Sequence, residues 1–162
     1  MSEPEITIRP ARPDDEAALG RLGGLLVVRH HEFDARRFIP PSANIEAEYG
    51  RFLVGELAKP DKVVLVADQG GQVLGYVYGA LDGMDWLALR GPAGVIYDIL
   101  VDPGRRSQGV GRRLLEAMVA ELGEMGAPQF VLSAAYPNQG AQRMFASAGF
   151  RPTMVEMTRE RD

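Results

Sequence analysis

The feature that most limits what this chain can fold into is the run Val95-Ile96-Tyr97-Asp98-Ile99-Leu100-Val101, which Asp102-Pro103-Gly104 closes and Arg105-Arg106-Ser107-Gln108-Gly109-Val110-Gly111-Arg112-Arg113-Leu114-Leu115 follows. The run is rich in β-branched residues and stops at a strong turn signal, so it reads as a strand. Beyond the glycines, Leu114, Leu115, Met118, Leu122 and Met125 fall on one face of a helix that Gly126-Ala127-Pro128 ends. Strand, glycine turn and helix in this order set the main-chain amides of residues 107 to 111 at the positive end of a helix dipole. Gly109 and Gly111 leave those amides open to close approach by an anion, and four arginines surround the spot. A ligand with phosphate groups, nucleotide-like in character, is the expectation.

Spacing separates the loops that share this appearance. Gly104 and Gly109 stand as far apart as the glycines of a Walker loop, but Val110-Gly111 occupy the places of its lysine and hydroxyl residue. A dinucleotide loop wants a third glycine where Leu114 stands. A third pattern, Arg or Gln, two free positions, Gly, one free position, then Gly or Ala, is met at Arg106, Gly109 and Gly111. It is similar to the acyl-CoA pyrophosphate loop of the GNAT superfamily of N-acetyltransferases. The opening Ile6-Thr7-Ile8-Arg9-Pro10-Ala11-Arg12-Pro13-Asp14-Asp15-Glu16 resembles the first strand and acid-led helix of that family. Asn138, Ala141 to Phe145 and Ala148-Gly149-Phe150 resemble its closing helix and Gly-Phe pair.

The resemblance implies one α/β (α+β) domain over residues 1–162. Its central sheet is mixed and mostly antiparallel, with six to seven strands and about four flanking helices, and splays at the fourth and fifth strands. By position these are the strands ending at Val101 and Ala134. It implies acetyl-CoA as co-substrate, with pantetheine lying in the splay against the main chain of Ile99, Leu100 and Val101, and with Leu100 or its neighbour polarising the thioester carbonyl. The diphosphate falls to Arg106, Ser107, Gln108, Gly109, Val110, Gly111 and Arg112, and the pantetheine amides to Asn138. Asn138 also reads as a helix N-cap. Pro137, which cannot donate to a ladder, reads either as a support for the splay or as an ordinary strand terminator.

Composition narrows the partners. The formal charge of −4 disfavours a broad nucleic-acid surface, so the arginine cluster suits one small polyanion; for Arg113 alone a solvated helix face is the simpler reading. With no cysteine, a disulfide, a thiolate metal site and a cysteine nucleophile are excluded, and a reducing cytoplasm suits the chain. The early acidic residues and the lack of a long apolar stretch predict neither a signal peptide nor a membrane span.

The remaining elements follow from periodicity. A helix is expected from Glu16 to Arg29, weakened by Gly23-Gly24, and a second from a Ser42 cap to about Leu57. Val63–Ala67 and Val73–Tyr78 form a hairpin about Gln69-Gly70-Gly71, residues 83 to 94 a loop, Phe130–Ala134 a strand, Gln139–Ala148 a short helix and Thr153–Thr158 a last strand.

Acyl transfer from a thioester to an amine needs a base, a carbonyl-oxygen donor and an acid for the thiolate. Asp98 is the ionisable carboxylate of an otherwise apolar strand; it reads as the base, or as a carboxylate bonded to main chain or a core arginine. Many family members carry a tyrosine shortly before the Gly-Phe pair, where this chain has Phe145. Tyr136 takes the acid role in its place, with Tyr97 or solvent as alternatives, although strand alternation sends Tyr97 and Asp98 to opposite faces. The charged and aromatic stretch Arg29 to Phe38 borders the expected acceptor cleft, and Asp82, Asp85 and Trp86 stand as acids and aromatic that can meet a cationic amine. Adjacent His30 and His31 point apart, which argues against a metal pair. Two functions remain: acetyl transfer to an amine of a small molecule or peptide, or an acyl-CoA-binding sensor with little turnover. The last strand can complete this chain's own sheet edge or that of a second copy, so a homodimer is a further expectation.

Overall fold

The structure, a computed structural model, describes residues 2–106 and 108–162. Strand β1 (Ile6–Pro10) passes through a 3-10 turn into helix α1 (Glu16–Phe33), and a long connection leads to α2 (Ile45–Glu56). Strands β2 (Lys62–Gln69), β3 (Gln72–Asp82) and β4 (Ala93–Val101) follow, then α3 (Val110–Glu124), β5 (Phe130–Leu132) and α4 (Gln139–Ser147). Among the described residues these make one five-stranded sheet in the order β1-β2-β3-β4-β5. All neighbours are antiparallel except β4 and β5, which are parallel.

Both faces of the sheet are covered, which is why Val63 to Ala67 is an unbroken apolar run. Val64 and Val66 meet Leu19, Leu22 and Leu53 of α1 and α2 on one face. Leu65 and Ala67 meet Leu114, Leu115, Met118 and Leu122 of α3 on the other, with Phe145 of α4.

Three local outcomes differ from the expectations. Gly23-Gly24 does not interrupt α1. A Cβ on Gly23 would lie 2.1 Å from Cδ1 of Tyr49, so the glycine is the place where α2 lays that ring on α1. Helix α2 starts after Asn44, and Ser42 instead accepts the Ile45 N–H through its carbonyl at 3.3 Å and donates its hydroxyl to Glu48 at 3.2 Å. The expected last strand is absent: residues 151–162 form no regular element, so the sheet has five strands where six to seven were expected. A strand exists only where its backbone finds a ladder, and this segment lies along none in its own chain.

A β-bulge sets the geometry of β4. Tyr78 opposes Asp98 while the next residue, Gly79, opposes Ile96, so Tyr97 is an extra residue in the ladder. Ile96 therefore faces the α3 core together with Ile99 and Val101, whereas Leu100 faces the α1–α2 core. Without the bulge, Asp98 would share the face of Ile96. With it, Asp98 joins Leu100 beneath α1 and α2.

Candidate active site

The parallel ladder between β4 and β5 is short. Gly94, Val95 and Ile96 pair with Phe130, Val131 and Leu132, and there it stops, although β4 runs on to Val101. The first unpaired position is the bulged Tyr97. β5 ends at Leu132, so Pro137 lies well past the divergence, in the turn before α4, and the bulge is the feature that coincides with the split.

The opening is a groove. Ile96, Tyr97, Asp98 and Ile99 form one wall, Leu132 to Ala135 the other, and Asn138, Ala141 and Phe145 of the α4 region the end. The Asp102 N–H donates to Leu74 O at 2.7 Å, which fixes the alternation along β4. Leu100 and Asp98 point their amides to β3, and the N–H groups of Ile99, which lines the groove, and of Val101 beyond it point the other way. Ile99 is thus the neighbour of Leu100 whose donor is available there. The buried Leu100 side chain packs in the α1–α2 core.

A second cavity, of about 260 Å³, opens between α1, α2 and the loop after α1. Val27, Phe38, Ile39 and Tyr49 line it alone, while Leu26, His30, Tyr97 and Asp98 line both spaces. The Tyr97 ring lies on Tyr78, centroids 5.2 Å apart, and its hydroxyl donates to Asp82 at 2.7 Å. Tyr97 and Asp98 therefore do not part to opposite faces, because the bulge breaks the alternation that was expected to separate them.

Asp98 sits where the two spaces meet. Its Oδ2 accepts the hydroxyls of Tyr49 at 2.6 Å and Tyr76 at 3.0 Å. Burial holds both phenols protonated well above their ordinary range, so they remain donors. Burial also raises the Asp98 carboxyl above the usual carboxylate range, and the two phenol hydrogen bonds oppose that rise. Oδ1 has no hydrogen-bond partner among the described residues, and none of their buried side-chain oxygens lacks one. Oδ1 is consequently the oxygen that reaches solvent in the cavity. His30 bonds Leu26 O through Nδ1 at 2.9 Å; a carbonyl only accepts, so the proton is on Nδ1 and Nε2 is the ring atom left for the cavities.

At the other end of β4, Gly109 adopts φ +75° at the N-cap of α3, and a Cβ there would meet none of the described residues within 4 Å. The left-handed backbone favours glycine, and no described residue fills the space beside its Cα. Arg106 and Gln108 are exposed and Val110 is buried; a Cβ on Gly111 would stand 3.3 Å from Sδ of Met144. Ser107 lies outside the described residues. The arginines divide into two pairs. Arg112 bonds Glu116 at 2.8 Å and Ser147 at 2.9 Å, and Arg113 donates to Ile6 O at 2.7 Å. Arg105 and Arg106 make no side-chain hydrogen bond to another described residue.

Residues 27–150 match the model of the Acetyltransferase (GNAT) family. The chain belongs to this family. Among curated relatives it is 24% identical over 147 residues to the uncharacterized N-acetyltransferase YhfO of Bacillus subtilis, covering 90% of this chain and 89% of that one. It is 32% identical over 96 residues to the mycothiol acetyltransferase of Thermobispora bispora, covering 57% of this chain but only 31% of that protein's length. A predicted acetyltransferase of Clostridium acetobutylicum, crystallised with acetyl-CoA, shares the fold with a TM-score of 0.73 at 20% identity, over 95% of this chain and 96% of that one.

In this GNAT chain the fold brings Asp98, Ile99 and Asn138 to one groove and sets the Gly109 loop beyond it. Asn138 serves as N-cap of α4, its Oδ1 accepting the Ala141 N–H at 3.2 Å. Tyr136 is not gathered in: it is 90% exposed and lines neither cavity. Asp82 and Asp85 are engaged, Asp82 by Tyr97 and Asp85 by the amides of Leu87 and Ala88, while Trp86 points to solvent. His30, Tyr49 and Tyr76 at the site escaped the sequence reading. Tyr49 and Tyr76 were visible only as core aromatics, and His30 only as half of an adjacent pair. Among the described residues no group of three acids or histidines is placed to hold a metal ion, and no helix is long and apolar enough to cross a membrane.

Acetyl-CoA fits the residues present. Two outward amides on β4 offer a pantetheine chain main-chain partners. The left-handed Gly109, clear of the other described residues, and Arg105 and Arg106, whose side chains bond no other described residue, suit a diphosphate.

Proposed function

We propose that this GNAT protein transfers an acetyl group from acetyl-CoA directly to a primary amine of a small molecule or peptide. The observation that carries the reading is Asp98 at the meeting point of the groove and the second cavity, with one oxygen anchored by phenols and the other turned to the space. Acetyl-CoA supplies an activated acyl thioester. Asp98, with its carboxyl raised by burial, takes the proton from the attacking amine. The Ile99 N–H donates to the carbonyl oxygen, a contact of a type worth about 3 kcal/mol in the transition state. The N–C bond forms as the S–C bond breaks, and the thiolate takes a proton from Tyr136 or from water.

The second cavity suits the acceptor. Its walls are apolar apart from Asp98, His30 and the tyrosines, and no lysine or arginine lines it among the described residues. An amine carried on an apolar or aromatic body matches such a lining.

A second reading, an acyl-CoA sensor with little turnover, is favoured by the acid side of the site. Phe145 is buried where a tyrosine was expected, and the Tyr136 hydroxyl stands in solvent. Thiol release with acetyl-CoA and panels of amines, followed by product mass, separates the two: the enzyme releases thiol only with an acceptor, the sensor with none. A thermal shift with coenzyme A comes first, since a ligand at a hundredfold its dissociation constant stabilises by roughly 2.7 kcal/mol. Tyr136→Phe at the wild-type rate removes that residue from the mechanism.

A further inference from the structure

Four residues, Leu26, His30, Tyr97 and Asp98, line both the groove and the second cavity. A group passing from one space to the other meets these four. Leu26 exchanges no proton, and the Tyr97 hydroxyl is spent on Asp82, with its phenol raised by burial. Two side chains at the junction are left to accept a proton, the Asp98 carboxylate and the His30 imidazole.

The orientation of the His30 ring is set. Its Nδ1–H donates to Leu26 O one helical turn earlier at 2.9 Å, and it meets Phe33 and Phe38 edge to face, with centroids 6.0 and 4.9 Å apart. Nε2 is therefore an acceptor held at the junction. His31, the next residue, is used differently: its Nδ1 lies 3.1 Å from Phe38 O, and it lines neither space. Arg29 and Arg37 lie over the Phe33 and Phe38 rings and also line neither. No hydrogen bond among the described residues joins His30 to Asp98. The two groups still act on each other. Burial raises the Asp98 carboxyl, the two phenols oppose that rise, and a charge on the His30 ring opposes it as well.

An amine that arrives as an ammonium ion sheds two protons on becoming an amide, one before it attacks and one after. A single carboxyl still holds the first when the second must leave. We propose that His30 Nε2 is the second base of the site and takes the later proton, a role that rests on the acetyl-transfer reading of the same groove. Oδ1 of Asp98 takes the first proton and frees the nitrogen lone pair. The lone pair attacks the thioester carbon, and the nitrogen becomes cationic with two hydrogens. Nε2 takes one of these, the C–S bond breaks, and a neutral amide remains. The thiolate gains its proton from Tyr136 or water, and Asp98 and His30 return theirs to water through the cavities.

His30→Phe keeps a ring between Phe33 and Phe38 and removes both nitrogens, whereas His30→Ala leaves a ring-sized space that a small base can enter. With acetyl-CoA and an amine that the wild type acetylates, kcat is expected to fall about 10²-fold in both variants. The thermal shift with coenzyme A should be that of the wild type, which shows the fold and the cofactor site intact. Added imidazole should restore His30→Ala and leave His30→Phe slow. Pyrazole, a far weaker base of the same shape, should restore neither. A wild-type rate in either variant, or equal restoration of His30→Ala by pyrazole, overturns the role of His30 and leaves acetyl transfer standing. A wild type that releases no thiol with any amine overturns acetyl transfer itself, and the second base with it.

Discussion

The Tyr49 hydroxyl donates to Oδ2 of Asp98 at 2.6 Å, across forty-nine positions of sequence, from α2 to the bulged strand β4. Gly23 of α1 makes this contact possible, because the Tyr49 ring occupies the space a side chain at Gly23 would fill. Removing the phenol in Tyr49→Phe takes one donor from a partly buried carboxylate, a loss of roughly 1–2 kcal/mol. The carboxyl then titrates higher still. With Asp98 as base, the acidic limb of kcat/KM against pH moves upward in Tyr49→Phe, and Gly23→Ala, which displaces the ring, moves it the same way. A pH–rate series on the three proteins checks this; an unmoved limb separates the Tyr49 bond from the reaction.

Asp98→Asn is expected to gain stability while losing activity. The folded-state carboxyl is raised by burial, so below the usual carboxylate range the group is protonated in both states and contributes no difference. As pH rises through that range toward the raised value, ionisation favours the unfolded chain, and the penalty stays constant above it. An asparagine escapes the penalty and still accepts the tyrosine hydroxyls. Melting curves should therefore separate at neutral pH, with the variant higher, and converge in acid. Turnover should fall by about 10²–10⁴, with acetyl-CoA affinity nearly intact.

Gly109→Val forces a β-branched residue to φ +75° and places its side chain where no described residue lies within 4 Å. The backbone strain is about 1–2 kcal/mol. Affinity for acetyl-CoA, read by calorimetry, should drop well beyond what that strain explains in melting, because the cradle itself is filled. Equal binding by the variant places the ligand elsewhere.

Arg9 of β1 holds two carboxylates, Asp15 at the start of α1 and Asp68 near the end of β2. It is bidentate to Asp15 at 2.8 and 3.0 Å and reaches Asp68 at 2.8 Å. Its hydrogen bonds hold both carboxyls below the usual range, so their stabilisation is present at neutral pH and lost as pH falls through the lowered values. Arg9→Met leaves both acids partly buried without their cation, a loss on the order of 2–3 kcal/mol, and should flatten the acid side of the stability curve. Melting from neutral pH into acid checks both parts.

What the sequence by itself determined is local and periodic. The run Val95–Val101, its turn and the glycines before Leu114 had one reading because strand, turn and helix signals agree residue by residue, and the order of helices and strands up to α4 followed the same signals. What only the tertiary structure decided depends on pairing. The bulge at Tyr97 arises from the ladder with β3 and leaves no mark in the sequence of β4, yet it chooses the face on which Asp98 lies and coincides with the split from β5. Tyr49 and His30 join Asp98 because α1 and α2 cross at Gly23, a contact between elements that periodicity cannot specify. The stretch 153–158 has a strand's composition and no strand, since composition describes what a backbone can pair with and the fold decides whether an edge is within reach.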